Sequence, residues 1–314
     1  MFCSFLILAA CLLLPMGATA QTPPPSDRQM FRTGVEMVTL SAVVRDRKGR
    51  VVQDLSRGDF EVLDNGQPRR ISEFRADRAP VSVALLFDTS GSMQVAAKVA
   101  AARQAALQLL SWLKPGSDEV AVFTFDSGLR ELQPFTRDGA AVRASFDRVE
   151  EPFGLTSLHD AIGETARRVA SRGGSHRAVV VLTDGVDTNS RLTPAQVSGI
   201  ASAIDVPVYI VAVVSPLDHG GQPTAVVPAG AGQTGELTDL AQWTGGDMFM
   251  SSTPAQTSLA VRQIVDELRC QYLIAFEPGG KPGWHPLEIR LRDRRLSVRS
   301  RGGYFAGPSL PGIQ

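Results

Sequence analysis

Oxygen-bearing side chains follow apolar runs at several points of this sequence. The segment 88–92, Asp-Thr-Ser-Gly-Ser, comes directly after the apolar run 81–87, and Asp184 comes just after the apolar run 178–182. Two carboxylates and several hydroxyls suit a small divalent cation that keeps some water, such as Mg²⁺, better than Zn²⁺, which favours His and Cys. The pattern predicts a site for Mg²⁺, with Mn²⁺ or Ca²⁺ left open. The carboxylates would come from Asp88 and Asp184, and the hydroxyls from the 88–92 segment and from a turn at 154–157, Gly-Leu-Thr-Ser.

Four apolar runs with little polar alternation are typical of strands that are covered on both faces. After the first run, apolar residues recur at three- and four-residue steps from Val95 to Leu113, which predicts a helix that packs on the sheet. The repeated order of strand, helix and strand predicts an α/β fold with a doubly wound, mostly parallel sheet, whose ligands bind at the carboxyl ends of the strands. The predicted strands are Val81–Phe87, Val120–Phe125, Ala178–Leu182 and Val208–Val214.

Shorter β-rich runs lie on both sides of this central body. On the amino-terminal side, turn formers at 47–49 and 64–66 separate them, and the second turn predicts a hairpin. Similar runs recur from residue 271 to residue 299, so we expect a small antiparallel β unit built from both ends of the chain. The predicted organisation is an N-terminal β flank at 35–79, an α/β domain at 80–269, a C-terminal β flank at 270–306 and a tail at 307–314.

The amino-terminal segment predicts export. Residues 1–20 carry no charged side chain and end in Ala-Thr-Ala, so we expect a signal peptide and a periplasmic or secreted protein. Cys11 offers an alternative, because Leu-Ala-Ala-Cys resembles a bacterial lipobox and would make this cysteine a lipid anchor. Residues 21–34 begin Gln-Thr-Pro-Pro-Pro-Ser, which predicts an extended linker. The later apolar runs are too short for a transmembrane span.

Composition narrows the classes of function. With 314 residues, of which 43% are apolar and 20% charged, the chain resembles an ordinary globular protein. Lys and Arg total 32, as do Asp and Glu, which argues against generic nucleic-acid binding. The basic run 290–295 contains Asp293, and we interpret it as the solvated face of an edge hairpin. Cys270 is the single cysteine beyond the leader, and it is predicted to be a buried thiol.

These motifs together resemble a known site. The segment Asp88-x-Ser90-x-Ser92, Thr156 in Gly-Leu-Thr-Ser-Leu-His-Asp-Ala-Ile and Asp184 in Leu-Thr-Asp-Gly look like the metal-ion-dependent adhesion site of von Willebrand factor A-type domains. The resemblance covers residues 80–269 and fills all five family positions. The flanks look like those of a bacterial group of exported proteins that is built around this domain.

The resemblance implies binding without catalysis. In the family, the positions of Ser90, Ser92 and Thr156 contact the metal, and those of Asp88 and Asp184 contact it directly or through water. One coordination position stays open for an Asp or Glu of a protein or peptide partner. The function that follows is a metal-dependent, adhesion-type binding module that is not an enzyme and binds no nucleic acid.

Other interpretations stay open at this point. The same ion could serve a metal-dependent hydrolase, which needs a nearby base. His159 is the histidine nearest to a predicted ligand in sequence, and we expect it to be a surface or capping residue. Each predicted ligand, taken singly, could simply cap a helix. The glycine string 230–235 matches a dinucleotide fingerprint, but its place in the Gly/Pro-rich stretch 216–235 favours a surface loop.

Overall fold

A computed structural model describes residues 37–307, apart from residue 77, residues 173 and 175, and the segment 215–230. The described residues belong to one compact unit, Glu36–Gln314. The predicted signal peptide, the Cys11 anchor and the 21–34 linker lie outside the described residues. Within the described ranges, no helix is long and apolar enough to cross a membrane.

The described residues form strands at both ends and an alternation of strands and helices between them. The strands are β1 (Val38–Arg45), β2 (Phe60–Asp64), β3 (Gln67–Arg69), β4 (Ile71–Arg75), β5 (Val81–Asp88), β6 (Glu119–Phe125), β7 (Leu129–Thr136), β8 (His176–Thr183), β9 (Val208–Val213), β10 (Met248–Ser251), β11 (Tyr272–Phe276), β12 (Gly283–Leu291), β13 (Ser297–Ser300) and β14 (Gly303–Ala306). The α-helices are α1 (Lys98–Trp112), α2 (Gly139–Ser145), α3 (Leu158–Ala170), α4 (Pro194–Ala203), α5 (Ala231–Trp243) and α6 (Pro254–Arg269).

The central sheet has six strands in the order β10-β9-β8-β5-β6-β7. All neighbouring pairs are parallel except β6 and β7, so the predicted doubly wound, mostly parallel α/β fold is confirmed. One face packs on α1 and α6, and the other packs on α3, α4 and α5. Because helices cover both faces, β5, β8 and β9 are apolar almost without interruption.

The start of the first helix differs from the prediction. A 3-10 segment, Gly91–Ala97, precedes α1, and Val95 is 52% exposed although its spacing placed it on the buried stripe. Ala102, Ala106 and Leu109 of that stripe are buried as predicted. The Gly91 amide at the start of this segment donates to the Gly154 carbonyl of another loop at 3.1 Å, and the α-helix begins only at Lys98.

The flanks form two antiparallel sheets, in the orders β13-β1-β11-β4 and β14-β12-β2-β3. Each sheet combines strands from both ends of the chain, which confirms the predicted antiparallel β unit. Leu40, Val62, Tyr272 and Ile289 belong to the one hydrophobic core that the two sheets share. The predicted hairpin turn joins β2 to β3 through Asn65 and Gly66, whose φ angles of 51° and 74° are typical of a two-residue type I′ turn.

Three other expectations need correction. The basic run does not lie on a hairpin, because β12 and β13, the strands on either side of it, belong to different sheets, although Arg290 and Arg295 are solvated. Cys270 is only half-buried, at the end of α6, and burial raises the pKa of its thiol. The part of the glycine string that the structure describes, from residue 231 on, begins α5 instead of a loop, and residues 216–230 of the predicted loop lie outside the described residues.

Candidate functional site

The first group of predicted ligands lies where β5 ends. Asp88 is the last residue of that strand and is fully buried. Its Oδ1 accepts a hydrogen bond from the Ser90 amide at 2.9 Å, and its Oδ2 accepts one from the Thr183 hydroxyl at 2.5 Å. The hydroxyl oxygens of Ser90 and Ser92 lie 3.2 Å apart. The structure therefore brings these three predicted ligands together on one loop.

Asp184 follows directly after β8, the neighbour of β5 in the sheet. Its side chain is 3% exposed. The Val186 amide donates to Oδ1 at 3.4 Å, and the Lys98 ammonium donates to Oδ2 at 3.1 Å. Gly185 has a φ of 83°, a backbone conformation that glycine adopts without strain, and it turns the chain away from the strand end at this point.

Thr156 lies on a third loop that is bonded to the other two. The Gly91 amide donates to the carbonyl of Gly154 at 3.1 Å, which joins this loop to the Ser90–Ser92 loop. The Thr156 carbonyl accepts from the Thr188 amide at 3.0 Å, and the Thr156 amide donates to the Thr188 hydroxyl at 2.9 Å, which joins it to the loop after Asp184. Thr156 itself is 2% exposed. All three loops thus meet at the carboxyl edge of the sheet.

The electrostatics of this edge favour a cation. Burial raises the pKa of Asp88 to about 6, and the charge of Asp184 adds to this rise, while hydrogen bonds from Ser90 and Thr183 act against it. A positive ion between the carboxylates would offset both the burial and the repulsion. No three His, Cys, Asp or Glu side chains converge as a metal site in the described part of the chain. The donor set, two carboxylates and neighbouring hydroxyls, fits a hard divalent cation that keeps water ligands.

The family comparison agrees with this architecture. The family model of the von Willebrand factor type A domain matches residues 83–186. The matched stretch begins in β5, ends just after β8 and contains all five predicted ligands. The chain contains a von Willebrand factor type A domain. The A-type domain supplies the sheet edge on which the candidate metal site lies.

Several solved structures resemble the chain at low sequence identity. BatB of Bacteroides thetaiotaomicron, described as a conserved hypothetical protein, is 20% identical with a TM-score of 0.46 and covers 60% of this chain and 98% of its own. A von Willebrand factor type A protein of Catenulispora acidiphila is 15% identical with a TM-score of 0.49 and covers 79% and 71%. Proximal thread matrix protein 1 of the mussel byssus is 18% identical with a TM-score of 0.47 and covers 72% and 50%. No curated protein matches.

His159 was expected to be a surface or capping residue, and it lies buried in the first turn of α3 instead of on the surface. It is the second residue of α3, is 8% exposed, and its Nδ1 lies 3.5 Å from Oδ2 of Asp187. The Asp187 carboxylate also accepts from the Leu158 amide at 2.8 Å and from the Ser190 hydroxyl at 2.6 Å. The ring therefore packs among groups that hold the start of α3 against the loop after β8.

Two residues of the A-type site were missed from the sequence. Thr183 donates to Asp88, and Lys98 donates to Asp184. A signal for Lys98 was present, because it lies three residues after Val95 and four before Ala102 and so falls on the stripe predicted to be buried. A lysine at such a position needs an acidic partner. Thr183 offered no comparable signal, since it ends an apolar strand where a hydroxyl is unremarkable.

Proposed function

We propose that the A-type domain binds a protein or peptide partner through a divalent cation, Mg²⁺ in the first place and Mn²⁺ or Ca²⁺ as alternatives. When bound, the ion supplies an open coordination position that attracts a carboxylate oxygen. Asp88 and Asp184 contribute the negative charge, and the hydroxyls bind without adding more, so a partner's Asp or Glu remains attractive. The residues that would hold the ion are Asp88, Ser90, Ser92, Thr156 and Asp184.

The observation that carries this proposal is an apolar collar on the same three loops, formed by Val95, Phe153, Leu155 and Val186. Their exposed fractions are 52%, 81%, 54% and 38%. Val95 follows the serine ligands, Phe153 and Leu155 precede Thr156, and Val186 follows Asp184. Neighbouring exposed apolar side chains mark sites of protein interaction. All four lie on the segments that meet at the carboxyl edge of the sheet.

The collar supports a partner that is both acidic and apolar. A carboxylate would reach the ion, and apolar side chains beside it would cover the collar. Phe153, at 81% exposure, offers the largest gain on burial, about 2 kcal/mol for a phenylalanine side chain. We therefore infer a partner segment in which Asp or Glu stands next to large apolar residues.

We place the protein outside the cytoplasm, as the leader at 1–20 predicts, with the Cys11 lipid anchor as the alternative.

A random peptide library, panned on the immobilised protein in Mg²⁺ and again in chelator, tests the proposal. We expect peptides with Asp or Glu beside apolar residues in Mg²⁺ and loss of these peptides in chelator. Asp184→Asn should abolish their binding. Phe153→Ser should weaken it by about tenfold or more and leave the thermal shift with Mg²⁺ intact, since the side chain lies on the collar and not among the ligands.

Leu259→Ser is the matched control, because Leu259 is 68% exposed on α6, outside the three loops. This variant should bind the selected peptides as the wild type does. Selection of peptides without an acidic residue, or equal binding in chelator, would contradict the proposal. Turnover of a nitrophenyl ester or phosphate in Mg²⁺, lost in His159→Ala, would instead support a metal-dependent hydrolase.

A further inference from the structure

A lysine of the chain lies inside the candidate metal site. Lys98 is the first residue of α1, and its side chain is 8% exposed. Its Nζ lies 3.1 Å from Oδ2 of Asp184, whose side chain is 3% exposed. A lysine this deeply buried is rare unless an opposite charge pairs with it. One predicted ligand of the divalent ion therefore already contacts a cation that belongs to the protein.

We propose that Lys98 is an internal competitor of the divalent ion and releases Asp184 when the ion binds. This inference rests on the proposed function, because it concerns the same ligands. In the absence of metal, the ammonium neutralises Asp184. In its presence, the ion takes this carboxylate and the lysine side chain moves aside.

The contacts of Asp184 explain why the two cations exclude each other. Oδ1 accepts from the Val186 amide at 3.4 Å, and Oδ2 accepts from the ammonium at 3.1 Å. An ion bound at Oδ2 would lie within a few ångströms of the ammonium, where two positive charges repel strongly in a partly buried setting. The flexible four-carbon stem of a lysine lets the ammonium move while Asp184 stays in place.

Asp88 is held in a different way. Its two oxygens accept from the Ser90 amide and the Thr183 hydroxyl, which are neutral donors. These donors orient the carboxylate without opposing a cation by a full charge. The competition is therefore located at Asp184, on the α1 side of the site, and not at the end of β5.

Removal of the ammonium should destabilise the metal-free protein and strengthen its binding of Mg²⁺. Without metal, Asp184 and the nearby Asp88 lose this counter-charge, so Lys98→Met should lower the melting temperature in chelator. With metal, the ion no longer competes for Asp184, so the variant should bind Mg²⁺ about tenfold more tightly, which corresponds to about 1.4 kcal/mol. If Lys98 only supports the structure, its replacement should lower the melting temperature in chelator and leave the affinity for Mg²⁺ unchanged.

Calorimetric titration of Mg²⁺ into the metal-stripped protein, with melts in chelator, tests this inference on the wild type, Lys98→Met and Lys98→Gln. Lys114→Met is the matched control, because Lys114 is exposed just beyond α1, about 24 Å along the helix from Lys98 at 1.5 Å per residue. We expect tighter Mg²⁺ binding and a lower melting temperature in both Lys98 variants, and neither change in the control.

The outcomes separate this inference from the proposed function. If the wild type binds Mg²⁺ and both Lys98 variants bind it equally or more weakly, the competition is overturned and the metal site stands. If no form binds Mg²⁺, the proposed function fails and the competition fails with it. Binding by the Lys98 variants alone would support the competition, since the ammonium would then exclude the ion from the wild type.

Discussion

The fold opposes the negative charge of the Asp88 carboxylate. Burial raises its pKa to about 6, above the ordinary value of 3.8. Because the folded state binds this proton more tightly than the unfolded state, the stabilising contribution is complete below about pH 4 and is lost as the pH rises through 6. The loss amounts to about 3 kcal/mol, at 1.4 kcal/mol for each pH unit. In chelator, the wild type should therefore lose stability from pH 4 to pH 7 relative to Asp88→Asn.

Urea denaturation in chelator at pH 4, 5, 6 and 7 measures this difference. Asp266→Asn is the control, because Asp266 is 58% exposed on α6 and lies outside the site. The curve of this variant should parallel that of the wild type. Parallel curves for Asp88→Asn and the wild type would show that the buried carboxylate does not titrate in this range, and that its charge is balanced without metal.

At the scale of elements, the sequence predicted those strands that are covered on both faces, because burial leaves an unbroken apolar run. β5 and β8 were found in this way, and with them the edge that holds Asp88 and Asp184. β7 was not, because this edge strand has no buried residue and its exposed and half-buried residues, such as Arg130 and Leu132, follow no regular alternation. Nor did periodicity reveal the 3-10 turn before α1, since its start depends on hydrogen bonds between loops.

Gly154 gives the loop that carries Thr156 a backbone conformation that other residues rarely adopt. Its φ is 85°, and a Cβ there would meet no atom within 4 Å, so Gly154→Ala adds backbone strain and no clash. We expect a loss of about 1 kcal/mol of stability. The loop can relieve this strain by shifting Thr156 away from the other ligands, so the rise in melting temperature with Mg²⁺ should shrink.

Gly116→Ala is the matched control for this loop. Gly116 has a φ of 72° and also no atom within 4 Å of an added Cβ, but it follows α1 at the end remote from the site. Thermal melts with and without Mg²⁺ should show a similar loss of stability in both variants and a full metal response in Gly116→Ala. A full metal response in Gly154→Ala would show that the loop tolerates the strain without moving Thr156.

At the scale of the whole molecule, a buried carboxylate joins the A-type domain to the flanking sheets. Glu267 of α6 is fully buried and pairs with Arg45 of β1 and Arg299 of β13. Arg299 also contacts Asp247, with Nη1 and Oδ2 2.5 Å apart. The two arginines come from opposite ends of the chain, so the network fastens the β unit to the central sheet. No motif predicted this network, because its members lie far apart in sequence.

Replacing Glu267 by Gln tests whether the molecule unfolds as one unit. The substitution removes the charge of the buried carboxylate from the network, while Asp247 still contacts both Arg45 and Arg299. Loss of charge-assisted hydrogen bonds of this kind costs about 2 kcal/mol. The midpoint of urea denaturation should fall, and fluorescence and circular dichroism should still report a single transition, since the flank strands hold each other across both chain ends. Glu288→Gln, which breaks an exposed pair with Arg290, should leave the midpoint unchanged. Two separate transitions in Glu267→Gln would show that the β unit folds independently once the charge of this buried carboxylate is removed.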